Sequence, residues 1–240
     1  METLTPEELK NLDPCSFRYR VLNEKEILEL FEICDAVWIH DGDPKSPHAE
    51  LTSGMCSNGY FNCSNVLKYP NICEILAYQL FRKLVWQLKE NGGVDWVVGS
   101  PYAAITFSYE IAKYFRAVHG FCEKSPIDSK KMVWRRDIIP ASANVLQIEE
   151  LITTGSTLRK IREAVTLGNP NPVKFLPIVG TLVHRPPDLS VRYEINGQKI
   201  KVVSLIEKEI WAKDPSECPL CRAGSKRYRP KTHWKELTQK

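Results

Sequence analysis

The segment NVLQIEELITTGSTLRKI, Asn144 to Ile161, sets two adjacent acids, Glu149 and Glu150, between an apolar run and a cluster of hydroxyl residues. Thr153, Thr154, Ser156 and Thr157 surround Gly155. Glycine permits a tight turn, and a helix starting there leaves backbone N–H groups unpaired. Such a loop is a cradle for a phosphate. The neighbouring carboxylates would repel a phosphate placed against them. They suit sugar hydroxyls or a magnesium ion instead. A ligand carrying both a phosphate and a free diol satisfies both halves. The bland alternative is that Thr154 or Ser156 caps a surface helix and the acids complement its dipole. The chain has neither a Walker lysine pattern nor G-x-G-x-x-G, and neither G-x-S-x-G nor H-E-x-x-H, so the common nucleotide, hydrolase and zinc-protease fingerprints do not explain it.

These groups need a strand to carry the acids and a helix to open the loop. The order of patterns from Val94 onward supplies both. VDWVVGS is a short buried-type strand, YAAITFSYEIAKYF a helix, HGFCEK and KMVWRRDI strands, NVLQIEE a strand and STLRKIREAVTLG a helix. VKFLPIVGTLVHR follows as a strand, and Asn196-Gly197 within VRYEINGQKIKVV signals a hairpin. This alternation predicts an α/β fold, a mainly parallel sheet flanked by helices, with ligands gathering at strand ends. Earlier, Asn23–Trp38 has helical spacing, a polar stretch with short strands follows, and a long helix runs from just after Pro70 to Gly92-Gly93. We divide the chain into an N-terminal helix and hood (1–70), a core (71–206) and a C-terminal C-x-x-C extension with a basic tail (207–240).

The 240 residues, 43% of them apolar, suffice for a substantial core. A net charge of +4 is too balanced for a general nucleic-acid binder, although the basic tail after Cys221 is an exception. The start of the chain has early acids and no apolar h-region, and no run is long enough to span a bilayer, so a cytoplasmic protein with reduced thiols and no membrane partner is expected. Cys218 and Cys221 have zinc-ribbon spacing but make only two ligands. His233, another cysteine (Cys15, Cys34, Cys56, Cys63, Cys73 or Cys122) or a partner chain would have to complete a site. His40, His48 and His119 lack partners at metal or triad spacing and read as surface or packing residues.

VLQIEELITTGSTL resembles the phosphoribosyl-diphosphate signature of type I phosphoribosyltransferases. The resemblance implies that Glu149 and Glu150 hold the ribose hydroxyls, and that Thr153, Thr154, Gly155, Ser156 and Thr157 hold the 5-phosphate. The family's pair usually contains an aspartate, whereas here both acids are glutamates. VDWVVGSPYAAI is laid out like the family's pyrophosphate loop, which implies diphosphate contacts from Ser100, Tyr102, Ala103 and Ala104. KSPIDSKKMVWRR lies where the family carries its mobile catalytic loop, and assigns Lys130, Lys131, Arg135 and Arg136 to the leaving diphosphate.

LTSGMCSNGYF and GTLVHRP are similar to base-binding segments of orotate phosphoribosyltransferases, which implicates Ser53, Gly54, Tyr60, Phe61 and Arg185. Thr52 stands where many orotate enzymes have a lysine, and His184 where an aspartate commonly precedes the arginine. The resemblance thus implies a Mg²⁺-dependent homodimer that joins phosphoribosyl diphosphate to a nucleobase, orotate first, giving orotidine 5′-monophosphate. Another base, or a non-catalytic sensor of phosphoribosyl diphosphate using the basic tail on nucleic acid, are the alternatives. Nucleic acid is not the expected partner. C-P-L-C extensions occur on some orotate-like relatives, so zinc at Cys218 and Cys221 would be a decoration of the family.

Overall fold

A computed structural model describes residues 4–128 and 130–238. The chain begins with a short helix α1 (Pro6–Leu9) and then α2 (Glu24–Ile33), opened by a capping box between Asn23 and Glu26. The helical spacing of Asn23–Trp38 predicted a longer α2. Asp35 instead takes a positive φ of 48°, and Val37–Ile39 becomes β1. A β-branched pair that finds a partner strand prefers the ladder, and β1 pairs antiparallel with Gly59–Phe61.

The hood continues with β2 (His48–Glu50), β3 (Cys56–Ser57) and β4 (Gly59–Phe61), then α3 (Cys63–Leu67) and α4 (Pro70–Gln87). Pro70 is itself the first helical residue, where its missing N–H costs nothing. The helix stops before Gly92 and Gly93, whose φ angles are 79° and 92°.

The core then alternates as expected: β5 (Trp96–Gly99), α5 (Ala103–Phe115), β6 (Val118–Phe121), a small antiparallel pair β7 (Glu123–Lys124) and β8 (Met132–Val133), β9 (Asn144–Ile152), α6 (Ser156–Gly168), β10 (Lys174–His184), β11 (Tyr193–Ile195) and β12 (Gln198–Glu207). The predicted strand KMVWRRDI shrinks to Met132–Val133, because Trp134 turns inward and its indole N–H donates to the carbonyl of Asp137 at 2.7 Å. The six-stranded sheet runs β11-β12-β10-β9-β5-β6, parallel except for the β11 edge. Asn196 and Gly197 both have positive φ, which makes the β11–β12 hairpin turn the sequence signalled.

Alternation along the strands sends side chains into two cores. Val97, Leu146, Ile148 and Leu182 pack with α2, α4 and α5, while Trp96, Val98 and Val145 pack with Trp134 and with Ala164 and Val165 of α6. The sheet is covered on both faces, as a parallel sheet must be.

The last segment does not stand apart. β13 (Ala212–Lys213) pairs with β3, and after α7 (Pro219–Arg222), β14 (Arg227–Tyr228) pairs with β2. A four-stranded sheet therefore joins the C-terminal segment to the hood, and α8 (Trp234–Thr238) follows. No described helix is long and apolar enough to cross a membrane.

Candidate active site at the carboxyl ends of the parallel strands

Adjacent parallel strands β5 and β9 each lead into a helix, and both helices begin without a side-chain cap. The α6 cap position is Gly155 at φ 74°; neither Thr154 nor Ser156 caps the helix. At α5 the cap position is Tyr102, equally without a cap bond. Each helix start carries unpaired N–H groups and roughly half a positive charge from its dipole. Two such poles at neighbouring strand ends match a ligand with negative charge at two places.

The hydroxyl loop surrounds a small pocket of about 40 Å³ lined by Glu149 and residues Leu151 to Leu158. Thr154, Ser156 and Thr157 are exposed to it and to solvent, while Gly155 is buried. A β-carbon on Gly155 would lie 2.6 Å from the ring of Tyr193. Tyr193 also donates its hydroxyl to the carbonyl of Thr153 at 2.6 Å, and the same oxygen lies 3.1 Å from His184 Nε2. Since the phenol spends its proton on Thr153, His184 supplies the second hydrogen bond as a donor. Sequence reasoning missed Tyr193: it enters from the β11 edge, far along the chain from the loop it braces.

Glu149 is 1% exposed. Burial pushes its carboxyl up to about 8, the Glu150 charge pushes the same way, and the hydrogen bond from Gln147 opposes them. Gln147 Nε2 donates to Glu149 Oε1 at 2.8 Å, and Gln147 Oε1 accepts from the buried Arg162 Nε at 3.1 Å. Arg162 is held in turn by Gln198 and the Leu176 carbonyl, both at 2.9 Å. The acid is thus fixed by a chain of buried polar groups that motif reading does not reveal. Glu150 is more open and is raised mainly by burial, against hydrogen bonds that include Ser100. Ser100 Oγ donates to Glu150 Oε2 at 3.2 Å, tying the two loops together.

Near Ser100, a groove of about 370 Å³ is lined by Pro101, Tyr102, Lys124, Pro126 and Arg135, among others. Lys124 Nζ lies 5.2 Å from the centre of the Tyr102 ring. The basic segment therefore meets the β5–α5 loop. Lys130, Lys131, Arg135 and Arg136 are exposed, and only Arg136 among them is ion-paired within the described residues, to Glu123 at 2.5 Å. Ala104 is buried and Ala103 half-buried at the start of α5.

On the hood side, Arg185 follows β10, its backbone N–H donating to the Ile152 carbonyl at 2.9 Å. Its Nε is buried with no hydrogen-bond partner. Burial lowers this guanidinium, while Cys63 and Tyr60 oppose the shift. Cys63 Sγ lies 3.4 Å from the Glu150 carbonyl, so this cluster adjoins the acidic pair. Tyr60 is half-buried and near Arg185 and Trp234.

Phe61 is not brought to this group: strand alternation turns it into the core, 5% exposed and edge-on to Phe31 at 5.6 Å. Ser53 and Gly54 form the β2–β3 turn, with Gly54 at φ 82°. Cys218 and Cys221 lie against the hood, next to Cys56 and His48. Of the two expectations for His48, surface or packing, the structure takes the second: it is fully buried on β2 beside β14 of the tail.

No family model matches the chain. It is similar to the orotate phosphoribosyltransferase of Desulforamulus reducens, 31% identical over 214 residues that cover 87% of this chain and 97% of that protein. The enzyme of the same name from Pelotomaculum thermopropionicum is 31% identical over 199 residues, 81% of this chain and 94% of its own. Among solved structures, that of Aeropyrum pernix orotate phosphoribosyltransferase matches 75% of this chain and 93% of its own at a TM-score of 0.50 and 14% identity. Leishmania donovani UMP synthase matches 80% of this chain at a TM-score of 0.55 and 17% identity, the chain spanning 37% of that longer protein. The solved structures share the fold. Identity carried across almost the full length of the Desulforamulus and Pelotomaculum proteins goes further, and places this chain in the orotate phosphoribosyltransferase family.

Proposed function

We propose that this protein transfers the phosphoribosyl group of phosphoribosyl diphosphate to orotate, giving orotidine 5′-monophosphate and diphosphate. The observation that carries the reading is the pair of uncapped helix starts, α5 and α6, flanking Glu149 and Glu150 at the ends of adjacent parallel strands. A substrate with a phosphate at one end, a diphosphate at the other and a diol between has the charge pattern this arrangement would bind.

In this mechanism Thr153, Thr154, Gly155, Ser156 and Thr157 take the 5-phosphate. Backbone N–H groups at Ser100, Tyr102, Ala103 and Ala104 take the diphosphate. Glu150 accepts from a ribose hydroxyl. Glu149, protonated near neutral pH, both accepts from and donates to the diol. The bond from the anomeric carbon to the diphosphate oxygen breaks with its electron pair leaving on diphosphate. The ring nitrogen of orotate forms the new bond, and its proton leaves with the departing diphosphate. No nucleophilic side chain takes part, and rate comes from positioning and charge stabilisation. Lys130, Lys131 and Arg135 close over the departing diphosphate and exclude water.

The Glu150 carboxylate, the Ser100 hydroxyl and substrate phosphates form an all-oxygen set that fits Mg²⁺. Glu150 and Ser100 would hold such an ion, whose charge would offset that of the diphosphate. Arg185 fits the base side, because its unpartnered Nε and planar fork suit the carboxylate and carbonyl edge of an acidic pyrimidine. Ser53, Gly54 and Tyr60 shape that side of the cleft.

We place the enzyme in the cytosol as a homodimer. An apolar groove of about 460 Å³ beside α4 and α5, where Tyr109 is 54% exposed, offers a face for a second copy.

The experiment is product identification by liquid chromatography and mass spectrometry. Purified protein, Mg²⁺ and phosphoribosyl diphosphate are supplied in turn with orotate, uracil, adenine and hypoxanthine. Orotidine 5′-monophosphate with equimolar diphosphate supports the reading. A nucleotide formed from one of the other bases moves the substrate, and no nucleotide from any base refutes transfer.

A further inference from the structure

The C-terminal segment meets the hood at three sulfurs and one imidazole that the proposed reaction does not use. Cys218, the N-cap of the single-turn helix α7, and Cys221 within it face Cys56 on β3 and His48 on β2. His48 Nε2 lies 3.4 Å from Cys221 Sγ and 3.7 Å from Cys218 Sγ, and Cys56 Sγ lies 3.5 Å from Cys221 Sγ. All four ligand atoms fall within 4.8 Å of one another. A tetrahedral zinc ion with Zn–S of about 2.3 Å and Zn–N of about 2.0 Å spaces its ligand atoms roughly 3.5–3.8 Å apart, which these separations approach.

The ring orientation supplies an independent sign. Ser225 Oγ lies 2.6 Å from the Ser46 carbonyl, to which it must donate, and 2.7 Å from His48 Nδ1. A hydroxyl has one proton, so it accepts from Nδ1–H, and the unprotonated Nε2 faces the sulfurs. Buried metal-binding histidines are fixed in this way by their far nitrogen. Cys221 N–H also points at Cys218 Sγ, 3.4 Å away.

The apolar packing around the cluster is small. Cys56, Cys218 and Leu220, with Trp211 and Cys221 against them, form the whole of the local apolar cluster. The strands that join tail to hood there are two or three residues long, and the helix four. Ladders that short add little stability of their own, so a metal staple there would reinforce the few hydrogen bonds that tie tail to hood, such as Arg229 to Glu50 and Trp211 to Asn58.

We propose that His48, Cys56, Cys218 and Cys221 bind one structural Zn²⁺ that clasps the C-terminal segment to the hood. The site is closed, with four protein ligands and no open position, so its role is architectural. It fastens the root of the β2–β3 hairpin, whose turn carries Ser53 and Gly54, and it anchors the tail whose Trp234 ring lies 6.3 Å from Tyr60. If the proposed function holds, loss of the ion should raise KM for orotate more than KM for phosphoribosyl diphosphate.

The test does not depend on catalysis. Full-length protein expressed with zinc in the medium is passed through gel filtration, and its metal is counted by plasma mass spectrometry; about one zinc per chain is expected. The Cys218→Ser/Cys221→Ser double variant should lose it, and Cys15→Ser, an exposed thiol outside the cluster, should keep it. In case the double variant misfolds, cobalt exchanged into the wild type should give the intense visible bands of a tetrahedral site and a near-ultraviolet thiolate charge-transfer band. Less than about a tenth of a zinc per chain, without these cobalt bands, overturns the proposal. So does a Cys56–Cys221 disulfide in the non-reduced peptide map of freshly purified protein.

Discussion

The ring of Tyr193 fills the space that a β-carbon on Gly155 would need, at 2.6 Å, while its hydroxyl holds the carbonyl two residues earlier in the same loop. One side chain thereby sets both the shape and the stiffness of the hydroxyl loop. Tyr193→Phe should leave the packing and remove the hold on Thr153. We expect KM for phosphoribosyl diphosphate to rise about 5- to 10-fold, as for the loss of one hydrogen bond of about 1 kcal/mol, with KM for orotate little changed. Steady-state kinetics with each substrate varied in turn checks this.

Gly155→Ala should do worse. It adds an atom against the Tyr193 ring and requires φ near 74° of a residue with a β-carbon. A loss of about 2 kcal/mol of stability or more is expected from the combined strain, and urea unfolding measures it. An unchanged midpoint would show that the loop is not braced as described.

The burial of Glu149 gives the protein a pH signature. Its carboxyl is held up to about 8 in the fold and sits at 4.5 when free, so between those values the folded chain binds more protons than the unfolded one. Stability from this group is therefore full below pH 4.5 and is lost as pH rises towards 8. Glu149→Gln removes that slope. Differential scanning calorimetry should show the variant gaining several degrees relative to the wild type as pH rises through this range, at about 2–4 °C per kcal/mol. A constant difference across pH would contradict the assignment.

Arg185 has its Nε buried without a partner. Arg185→Lys keeps a positive charge but loses the planar fork. KM for orotate should rise about 10- to 100-fold, the cost of charge-assisted hydrogen bonds of roughly 1.5–3 kcal/mol, with KM for phosphoribosyl diphosphate unchanged. An equal rise in both would place the residue in general folding.

The exposed basic segment separates charge from structure. Arg135 is solvent-facing and unpaired in the ion pairs of the described residues, whereas Arg136 is engaged by Glu123. Arg135→Ala should lower kcat about 10-fold or more through lost transition-state charge stabilisation while leaving the melting temperature within about a degree. Arg136→Ala should affect kcat less.

Much of this arrangement was legible in the sequence, because it is local. The strand, the acid pair, the loop and the helix Ser156–Gly168 follow one another within a single stretch, so periodicity and one glycine reveal them. Asn196-Gly197 likewise announced its turn. What stayed hidden depends on partners distant in sequence. Tyr193, the Gln147–Arg162 support beneath Glu149, and the meeting of His48 and Cys56 with Cys218 are contacts made by topology, and no local pattern encodes them. Phe61 shows the converse: the pairing expected of it with Tyr60 fails, since adjacent residues of a strand face opposite sides. Helix α2 ended early for a similar reason, the available strand partner for Val37–Ile39 overriding helical spacing.

The central claim is that the acid pair between two helix starts turns over phosphoribosyl diphosphate with orotate. It is tested most directly by following the ultraviolet loss of orotate with purified wild type and Glu150→Gln, both shown folded by circular dichroism, in the presence of Mg²⁺. Orotate should disappear rapidly with the wild type, only when phosphoribosyl diphosphate is present, and at least 100-fold more slowly with the variant, about 2.7 kcal/mol or more of transition-state stabilisation. Equal rates in the two proteins, or no loss with the wild type, would contradict it.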